Sequence, residues 1–598
     1  MGSLYESGWA DAQAETQFQG RGSSHELAAL LLTEAIQYSL FNSKQPLFVI
    51  FLDAKSAFDK ILRELVIRNA YLAGSQDQGL IYLDNRLKHR KTYVEWDKVL
   101  MGPICDRLGV EQGGCNSDRL YKLANNRELI ITQQSSLGLK MGMTSVGSIG
   151  QADDVALISD DVHRLQCLLQ LAMDYARDCH VEIVPEKTKL LCYSPRGFED
   201  ATYYWKVVSP IYMDGHSIKF SSEAEHVGVL RSPLPGNMSN VLARQSAHTR
   251  AVYGVLPAGL AKAHSGNPAA ALRVERLYGA PVLLSGLAAL VLNKTELASI
   301  HQHYKINLER LQRHYRATPS AVVFFMAGSL PATALLHLKQ FSLLGMIARL
   351  GPAHILFKHG QHMLTAEQSN SHSWFAQVRE LSGQYSLPDP LQTLLYPPSK
   401  AAMKRMTKLK ILDWWQTLLR AKAASLDSLS RFHADFMSLS TPHPIWTSAG
   451  SSPFEVKKAT VQARMLGGRY RTCWLVRHWS DTNGSCRIPG CSGDPGILPH
   501  IATGQCTGLT AAKIRAVGIW SNFLRENPHL FPIIQFFSLN DPEQFTSFLV
   551  DPTTKPNVIS LAQANPGGDV VNKLCYMTRT WLFIMHKERL KLLGLWTN

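Results

Sequence analysis

The sequence predicts an α+β fold that continues into a mainly helical region and a small Cys/His-rich C-terminal region. The α+β prediction starts from LFVIFLD (47–53), an uninterrupted apolar and β-branched run that is typical of a buried strand. Two short strands lie within residues 145–159 and are separated only by Ala-Asp-Asp, which indicates a hairpin. Helical spacing at 162–178 and a strand in KLLCYS follow, so the order of elements predicts a split-βαβ sheet.

Helices are predicted on both sides of this pattern. Residues 23–40 carry apolar side chains at helical spacing, and Ser23-Ser24 followed by Glu26 resembles an N-cap. From about residue 237 to 436, long segments have helical periodicity with few strand signals. A further helix is predicted near the C-terminus, in MTRTWLFIMHKERLKLLGLW.

The composition is that of a folded protein with an anionic partner. Hydrophobic residues make up 45% of the 598 residues and charged residues only 18%, which argues against disorder. The formal net charge of +15 indicates a polyanion as partner, of which nucleic acid is the commonest. The alternative is a basic enzyme that has no such partner.

The ten cysteines are spread along the chain and do not form a disulfide framework, which favours a reducing, intracellular location. The N-terminus lacks the basic and apolar regions of a secretory signal. The most apolar stretch, Gly279 to Leu292, is too short to cross about 30 Å of hydrocarbon. The sequence therefore predicts no membrane partner.

The strongest chemical signal is a set of three aspartates. Asp53 ends the predicted buried strand, and Asp153 and Asp154 lie at the tip of the predicted hairpin. Adjacent carboxylates repel each other, so their joint ionisation needs cations or solvent. If the two strands are neighbours in one sheet, Asp53 and Asp153 converge, and such hard oxygen ligands suit Mg²⁺. The alternative is an exposed turn, whose geometry aspartate tolerates well.

A Cys/His cluster near the C-terminus predicts a second metal site. Its residues are spaced C-x4-C-x8-H-x5-C, a set that suits a closed, structural, tetrahedral Zn²⁺ centre and comprises Cys486, Cys491, His500 and Cys506. The alternative is four unrelated residues in a reducing protein.

The residues around this cluster combine positive charge with aromatic rings, which predicts a surface for single-stranded RNA. The alternative for the aromatic residues is packing around the knuckle. The residues concerned are Arg464, Arg469, Arg471, Arg477, Arg487, Tyr470, Trp474 and Trp479.

Five segments, in order, resemble motifs A to E of non-LTR (LINE-type) retrotransposon reverse transcriptases. They are FLDAKSAFDK (51–60), GVEQGGCNS (109–117), GQADDVALIS (150–159), VPEKTKLL (184–191) and EHVGVL (225–230). QFQGRGSS (17–24) is similar to the end of the fingers block, and QARMLGGRYRT and CRIPGC are similar to the tails of such elements. The resemblance extends over nearly the whole chain.

The resemblance implies a right-hand polymerase palm and RNA-directed DNA synthesis with two Mg²⁺ ions, an RNA template, a DNA primer or target and deoxynucleoside triphosphates. It assigns Asp53, Asp153 and Asp154 to the Mg²⁺ ions. Lys187 matches a lysine near the departing pyrophosphate, a candidate general acid or electrostatic stabiliser; a solvated strand-end lysine is the other interpretation. The remaining assignments concern the nucleotide and the template: Phe58, Gln112 and Gly113.

Phe58 matches the bulky residue beneath the sugar that excludes a ribose 2′-hydroxyl, although a core phenylalanine at the start of a helix is an alternative. Gln112 and Gly113 match the motif that lies along the template and the incoming nucleotide. By the same resemblance we expect partial fingers at 1–45, a palm at 46–235, a helical thumb and connector at 236–453, and a C-terminal region with a CCHC knuckle at 454–598.

Three positions depart from the family pattern: Gln151 replaces an aromatic residue, Asp118 a proline and Val184 an asparagine. We also expect an N-terminally truncated member, whose early fingers strands and any upstream nuclease would precede Met1. These departures keep open a catalytically impaired retroelement remnant that only binds nucleic acid, or an inert and poorly soluble translation product. A DNA target and reduced cysteines predict a nuclear or cytoplasmic location.

Overall fold

The computed structural model describes the chain in fourteen segments: residues 14–18, 23–55, 57–72, 74–88, 91–104, 108–110, 117–207, 210–252, 266–366, 372–472, 484–491, 496–532, 541–564 and 569–595. The chain divides into two compact units. The first comprises Met1–Val241, Ser285–Glu296 and Leu336–Lys410, and the second comprises Leu242–Leu284, Leu297–Leu335 and Ile411–Asn598. The predicted mixed α+β organisation is confirmed.

All the described strands lie in the first unit. They are β1 Leu47–Leu52, β2 Ala54–Lys55, β3 Thr92–Trp96, β4 Val99–Ile104, β5 Leu139–Met141, β6 Thr144–Val146, β7 Ser148–Gln151, β8 Asp154–Ser159, β9 Glu182–Ile183, β10 Lys189–Tyr193, β11 Ile211–Met213, β12 His216–Ile218, β13 Ala224–His226 and β14 Val229–Arg231.

Helices precede, separate and follow these strands. As far as Arg250 they are α1 His25–Gln37, α2 Ala57–Lys60, α3 Arg63–Leu72, α4 Asp77–Lys88, α5 Ser117–Gln134, α6 Val162–Asp178, α7 Phe198–Val207 and α8 Met238–Arg250.

The rest of the described chain is helical. Its helices are α9 Pro268–Val274, α10 Ala280–Leu283, α11 Lys294–Leu311, α12 Ser320–Ala327, α13 Ala332–Leu350, α14 Ile355–Thr365, α15 Trp374–Gln384, α16 Pro390–Leu395, α17 Lys400–Ala424, α18 Pro444–Thr447, α19 Pro453–Leu466, α20 Leu498–Ala502, α21 Thr510–Glu526, α22 Pro542–Val550, α23 Pro556–Ala564 and α24 Val570–Leu592. Short turns of 3₁₀- or π-helix join several of these helices.

The centre of the first unit is a four-stranded antiparallel sheet in the order β10-β1-β8-β7. Every residue of β1 is buried, as its uninterrupted apolar sequence predicts. Phe48, Ile50 and Leu52 alternate along β1 and join a core with the buried face of α6. Helix α6 begins and ends within residues 162–178, as predicted, and the side chain of Asp161 caps its first turn by accepting a hydrogen bond from Arg164 N.

Buried polar contacts attach the late helices of the first unit to helix α1, whose predicted N-cap residue Ser24 accepts a hydrogen bond from Leu27 N. The fully buried carboxylate of Glu34 accepts hydrogen bonds from His359 Nε2 (2.9 Å), Ser373 Oγ (2.9 Å) and Trp374 N (2.7 Å). A carboxylate at the first turn of α15 is favoured by the partial positive charge of the helix N-terminus. The predicted helix at 23–40 therefore has a long-range polar role in addition to its apolar packing.

The second unit is organised around α24, which confirms the predicted C-terminal helix. Helices α19, α21 and α22 pack against it. Trp581 of α24 packs against Trp520 and Phe545, with ring centroids 4.7 and 5.4 Å away. Within the described residues, no single helix has both the length and the apolar character needed to cross a membrane, although α12 and α13 meet the criteria jointly as a bent pair.

Candidate acidic site and metal centre

The strand register of the central sheet determines the positions of the three predicted aspartates. Strand β1 runs antiparallel to β8, with Leu52 opposite Val155. One position further along, Asp53 leaves β1 where Asp154 enters β8, so both residues lie at the same end of the sheet. Asp153 occupies the adjoining turn between β7 and β8. The sequence therefore brings all three carboxyl-bearing residues to one edge.

The turn itself is one residue shorter than predicted. Because Gln151 pairs with Asp154, Asp154 belongs to β8, and only Ala152 and Asp153 form the loop. Ala152 adopts a left-handed backbone conformation with φ 57°. The side chain of Asn125 stabilises this turn by donating a hydrogen bond from Nδ2 to the carbonyl oxygen of Ala152 (2.9 Å).

Negative charges lie close together at this edge. Partial burial, followed by the charges of Asp153, Glu225 and Asp53, raises the pKa of Asp154 to about 6. Mutual repulsion between carboxylates is a physical cause of such a shift. A divalent cation would remove that repulsion and stabilise the ionised forms. Carboxylate oxygens are ligands that Mg²⁺ prefers, so a Mg²⁺ site at this edge stays a prediction.

Lys187 lies beside the aspartates. Its Nζ atom is 3.8 Å from Asp53 Oδ1, and the two side chains are 65% and 42% exposed. An ion pair this exposed contributes little to the stability of the fold, but it places a positive charge beside Asp53. The backbone N–H of Val184 donates to the carbonyl oxygen of Asp53 (2.9 Å), which holds the segment carrying Lys187 next to β1.

Phe58 is half-buried in α2 and stacks on Tyr121 of α5, with ring centroids 4.4 Å apart and an interplanar angle of 23°. It also packs against the core beneath α3 and α4. Both interpretations of Phe58 therefore remain predictions: a core contact is present, and its ring is partly accessible. Gln112 and Gly113 lie outside the described residues.

Gly109, at the start of the segment that resembles motif B, has a backbone that only glycine adopts easily. Its φ is +77°, and a Cβ atom there would lie 2.4 Å from the carbonyl oxygen of Asp59. We expect Gly109→Ala to lower the free energy of unfolding by about 2–4 kcal/mol, because it adds strain and a clash with backbone. Urea unfolding measures this. Gly79→Ala, at a helical glycine with nothing within 4 Å, is the matched control and is expected to be neutral or stabilising.

The Cys/His cluster in the second unit has the geometry of a zinc centre. The ligand atoms of Cys486, Cys491, His500 and Cys506 all lie within 4.8 Å of one another. Cys486 Sγ is 3.8 Å from Cys506 Sγ, and Cys491 Sγ is 3.4 Å from His500 Nε2. Ligand atoms around a tetrahedral Zn²⁺ with bonds of about 2.0–2.3 Å are separated by roughly 3.5–3.8 Å. The four residues therefore fit a metal ion such as Zn²⁺.

Backbone and helix contacts support this centre. The backbone N–H of Cys506 donates to the carbonyl oxygen of His500 (3.1 Å), and Trp581 of α24 donates from Nε1 to the carbonyl oxygen of Ala502 (2.8 Å). Burial, followed by the neighbouring Cys486 and Cys491, raises the pKa of the Cys506 thiol to about 12. A bound cation would be needed to keep these sulfur atoms as thiolates at neutral pH.

Two distant segments of the second unit, 313–317 and 464–471, contact each other. We call the arginines that they carry the arginine cluster: Arg313, Arg316, Arg464, Arg469 and Arg471. Arg464 and Arg471 lie over the ring of Tyr315, 4.2 and 5.0 Å from its centroid.

Among the residues that the structure describes, no carboxylate forms an ion pair with the arginine cluster. The hydrogen bonds of Arg313, Arg464 and Arg469 go to backbone carbonyls and to the Tyr315 hydroxyl rather than to carboxylates. Burial, followed by the positive charge of Arg464, lowers the pKa of both Arg313 and His314. The charge that acts on these two side chains is therefore positive. Such a site suits an anionic partner.

The sequence predicts only part of the arginine cluster. Arg464, Arg469 and Arg471 were predicted, but Arg313 and Arg316 were missed because they lie about 150 residues away in sequence. Tyr470 was predicted to stack on RNA; instead its ring is buried and its hydroxyl contacts His586 Nδ1 (2.9 Å) and Arg589 Nη1 (3.2 Å). Packing, the alternative interpretation, is correct for Tyr470. Trp474, Arg477 and Trp479 lie outside the described residues.

Comparison with protein-family models and with curated proteins gives no match to this chain.

Proposed function

We propose that this chain is a template-directed nucleotidyltransferase, an RNA-directed DNA polymerase of the LINE type. The observation that carries the proposal is the meeting of Asp53, Asp153 and Asp154 at one sheet edge, within motifs whose order resembles that of LINE-type reverse transcriptases. By the same proposal the β10-β1-β8-β7 sheet with α5 and α6 is the polymerase palm. Deoxynucleoside triphosphates, an RNA template and a DNA primer or target are its substrates.

In this proposal Asp53, Asp153 and Asp154 hold two Mg²⁺ ions, which would activate the primer 3′-hydroxyl and neutralise charge on the leaving pyrophosphate. Lys187, beside Asp53, adds a positive charge near that pyrophosphate and can donate a proton from Nζ. Phe58, supported from beneath by Tyr121, presents an aromatic edge that would exclude a 2′-hydroxyl by steric contact.

The arginine cluster supports nucleic acid as the partner. A guanidinium whose hydrogen bonds go only to backbone remains available to a phosphate. We expect Arg316→Ala and Arg471→Ala each to weaken RNA binding and to reduce the slope of log affinity against log salt by about 0.7–0.9. Fluorescence anisotropy with labelled oligonucleotides measures this. Arg515→Ala is the matched control, because Arg515 is already paired with Glu588 at 2.6 Å.

Primer extension on an RNA template, with the four deoxynucleotides and Mg²⁺, tests the proposed activity. Extension by the wild-type chain that is lost in Asp153→Asn supports it. The absence of Mg²⁺-dependent extension at high protein concentration eliminates the enzyme. Salt-dependent RNA binding without incorporation would instead support a retroelement remnant that only binds nucleic acid. A nuclear or cytoplasmic location is part of the proposal, since the target is DNA.

A further inference from the structure

One face of α5 carries three side chains toward the acidic site. Tyr121, Asn125 and Glu128 are spaced by four and then three residues, so they lie on the same side of the helix. Tyr121 stacks on Phe58, and Asn125 donates to the carbonyl oxygen of Ala152. Two of the three side chains therefore already support parts of the site, and the third is a carboxyl group.

Glu128 is 6% exposed, and within the described part of the chain its Oε1 atom has no hydrogen-bond partner. Burial raises the pKa of this carboxyl to about 8, so it carries a proton at neutral pH. A protonated carboxyl donates one hydrogen bond, whereas a carboxylate only accepts. A buried polar atom that lacks a partner is costly and needs a compensating role.

A small cavity of about 30 Å³ lies between Glu128 and the acidic site. Its lining includes Asp153 of the β7–β8 turn, Asn125 and Tyr175, while the rest of its wall is mainly apolar. This volume accommodates one water molecule, and the polar lining offers the two to four partners that an ordered water needs. The Tyr175 hydroxyl already donates to the carbonyl oxygen of Ala124 (2.5 Å). Asp153 and Glu128, with Tyr121 and Asn125, are the other side chains of the lining that can bond to such a water.

We propose that Glu128 is a positioning residue of the acidic site, which acts through a water molecule in this cavity to orient the Asp153 carboxylate. The Glu128 hydroxyl donates to the water, and the water donates to one carboxylate oxygen of Asp153. The other carboxylate oxygen then faces a divalent cation. The inference rests on the proposed function to the extent that Asp153 is a metal ligand. It extends the roles predicted from the sequence, in which Glu128 has no part.

Two substitutions separate this role from a packing role. Glu128→Gln keeps the shape and a hydrogen-bond donor, whereas Glu128→Leu keeps much of the volume and removes the donor. Direct binding of Mn²⁺, followed by electron paramagnetic resonance, measures cation affinity without requiring polymerisation. We expect Glu128→Leu to weaken Mn²⁺ binding about tenfold and Glu128→Gln less than about twofold, as is typical for loss and retention of an outer-shell contact. Asp153→Asn identifies the signal from this site.

Stability supplies the second readout. Because leucine removes the cost of burying a carboxyl group, Glu128→Leu is expected to raise the midpoint of thermal unfolding by about 2–4 °C while it weakens cation binding. Equal Mn²⁺ affinity in Glu128→Leu and wild type would overturn the proposal, as would equal losses in both variants. If the wild-type chain binds Mn²⁺ through Asp153 but extends no primer, the proposed polymerase function fails and the role of Glu128 is still decided by the two variants. If the wild type binds no Mn²⁺ there, both fail.

Discussion

Replacing Asp153 by asparagine is expected to lower the rate of Mg²⁺-dependent primer extension by at least about a thousandfold, equivalent to roughly 4 kcal/mol of transition-state stabilisation. The amide is neutral and binds Mg²⁺ poorly, so the site would lose both a ligand and the charge that compensates the cations. Single-turnover extension at saturating nucleotide measures the chemical step without interference from product release.

The matched control is Asp214→Asn, at an exposed aspartate in the β11–β12 turn whose side chain pairs with Arg177 (3.3 Å). It should extend the primer at the wild-type rate. A comparable loss in both variants would mean that Asp153 contributes through folding or overall charge rather than through cation binding. Unchanged extension in Asp153→Asn would contradict the assignment of that residue.

The second large effect is expected at the Cys/His centre. Cys506→Ser should lower Zn²⁺ affinity by more than about a hundredfold, since even the loss of an outer-shell partner costs about 10- to 100-fold. Because metal binding is coupled to folding in such centres, the segment around Cys486 to Cys506 should also become sensitive to protease. Zinc content by mass spectrometry and limited proteolysis measure the two consequences.

Cys167→Ser is the control for this prediction, because Cys167 is an exposed free thiol that is not one of the four ligands. It should keep the wild-type zinc content. A wild-type chain purified with no bound zinc, and unaffected by a chelator, would contradict a structural metal centre and favour four thiol and imidazole groups that meet without an ion.

Local sequence signals predicted the elements that carry the acidic site. The strand at Leu47–Leu52 was predictable because it is a short, unbroken apolar run, and helix α6 was predictable because its apolar residues recur with a period of 3.6. Each pattern leaves few alternative structures. The hairpin was predictable because two strand-like runs are separated by residues that tolerate a turn. Its length was not, because the pairing of Gln151 with Asp154 depends on the sheet register.

Long-range polar contacts were not predictable. In the sequence, Glu34 is a single carboxylate on a predicted helix. No neighbouring residue indicates that His359 and Ser373 will form hydrogen bonds with it. In the sequence, Glu128 likewise resembles a solvated glutamate on a helix, whereas in the structure it lines the cavity. Tertiary burial determined the role of these residues, and single-sequence patterns carry little information about it.

The organisation of the helical region shows the same limit. Helical periodicity predicted helices between about 237 and 436, and α8 to α17 are there. The way that the chain passes between two compact units was not predictable, because the packing of helices depends on which faces become buried. The arginine cluster is a further consequence, since Arg313 and Arg464 come together only through that packing.

Whether Asp53 and Asp153 hold divalent cations together can be seen in a crystal structure of the protein grown with Mn²⁺, with anomalous diffraction used to locate the ions. We expect two anomalous peaks about 3.5–4 Å apart, both bound by carboxylate oxygens of Asp53 and Asp153. Asp53 turned away from the β7–β8 turn, with no cation held between the two aspartates, would contradict this expectation.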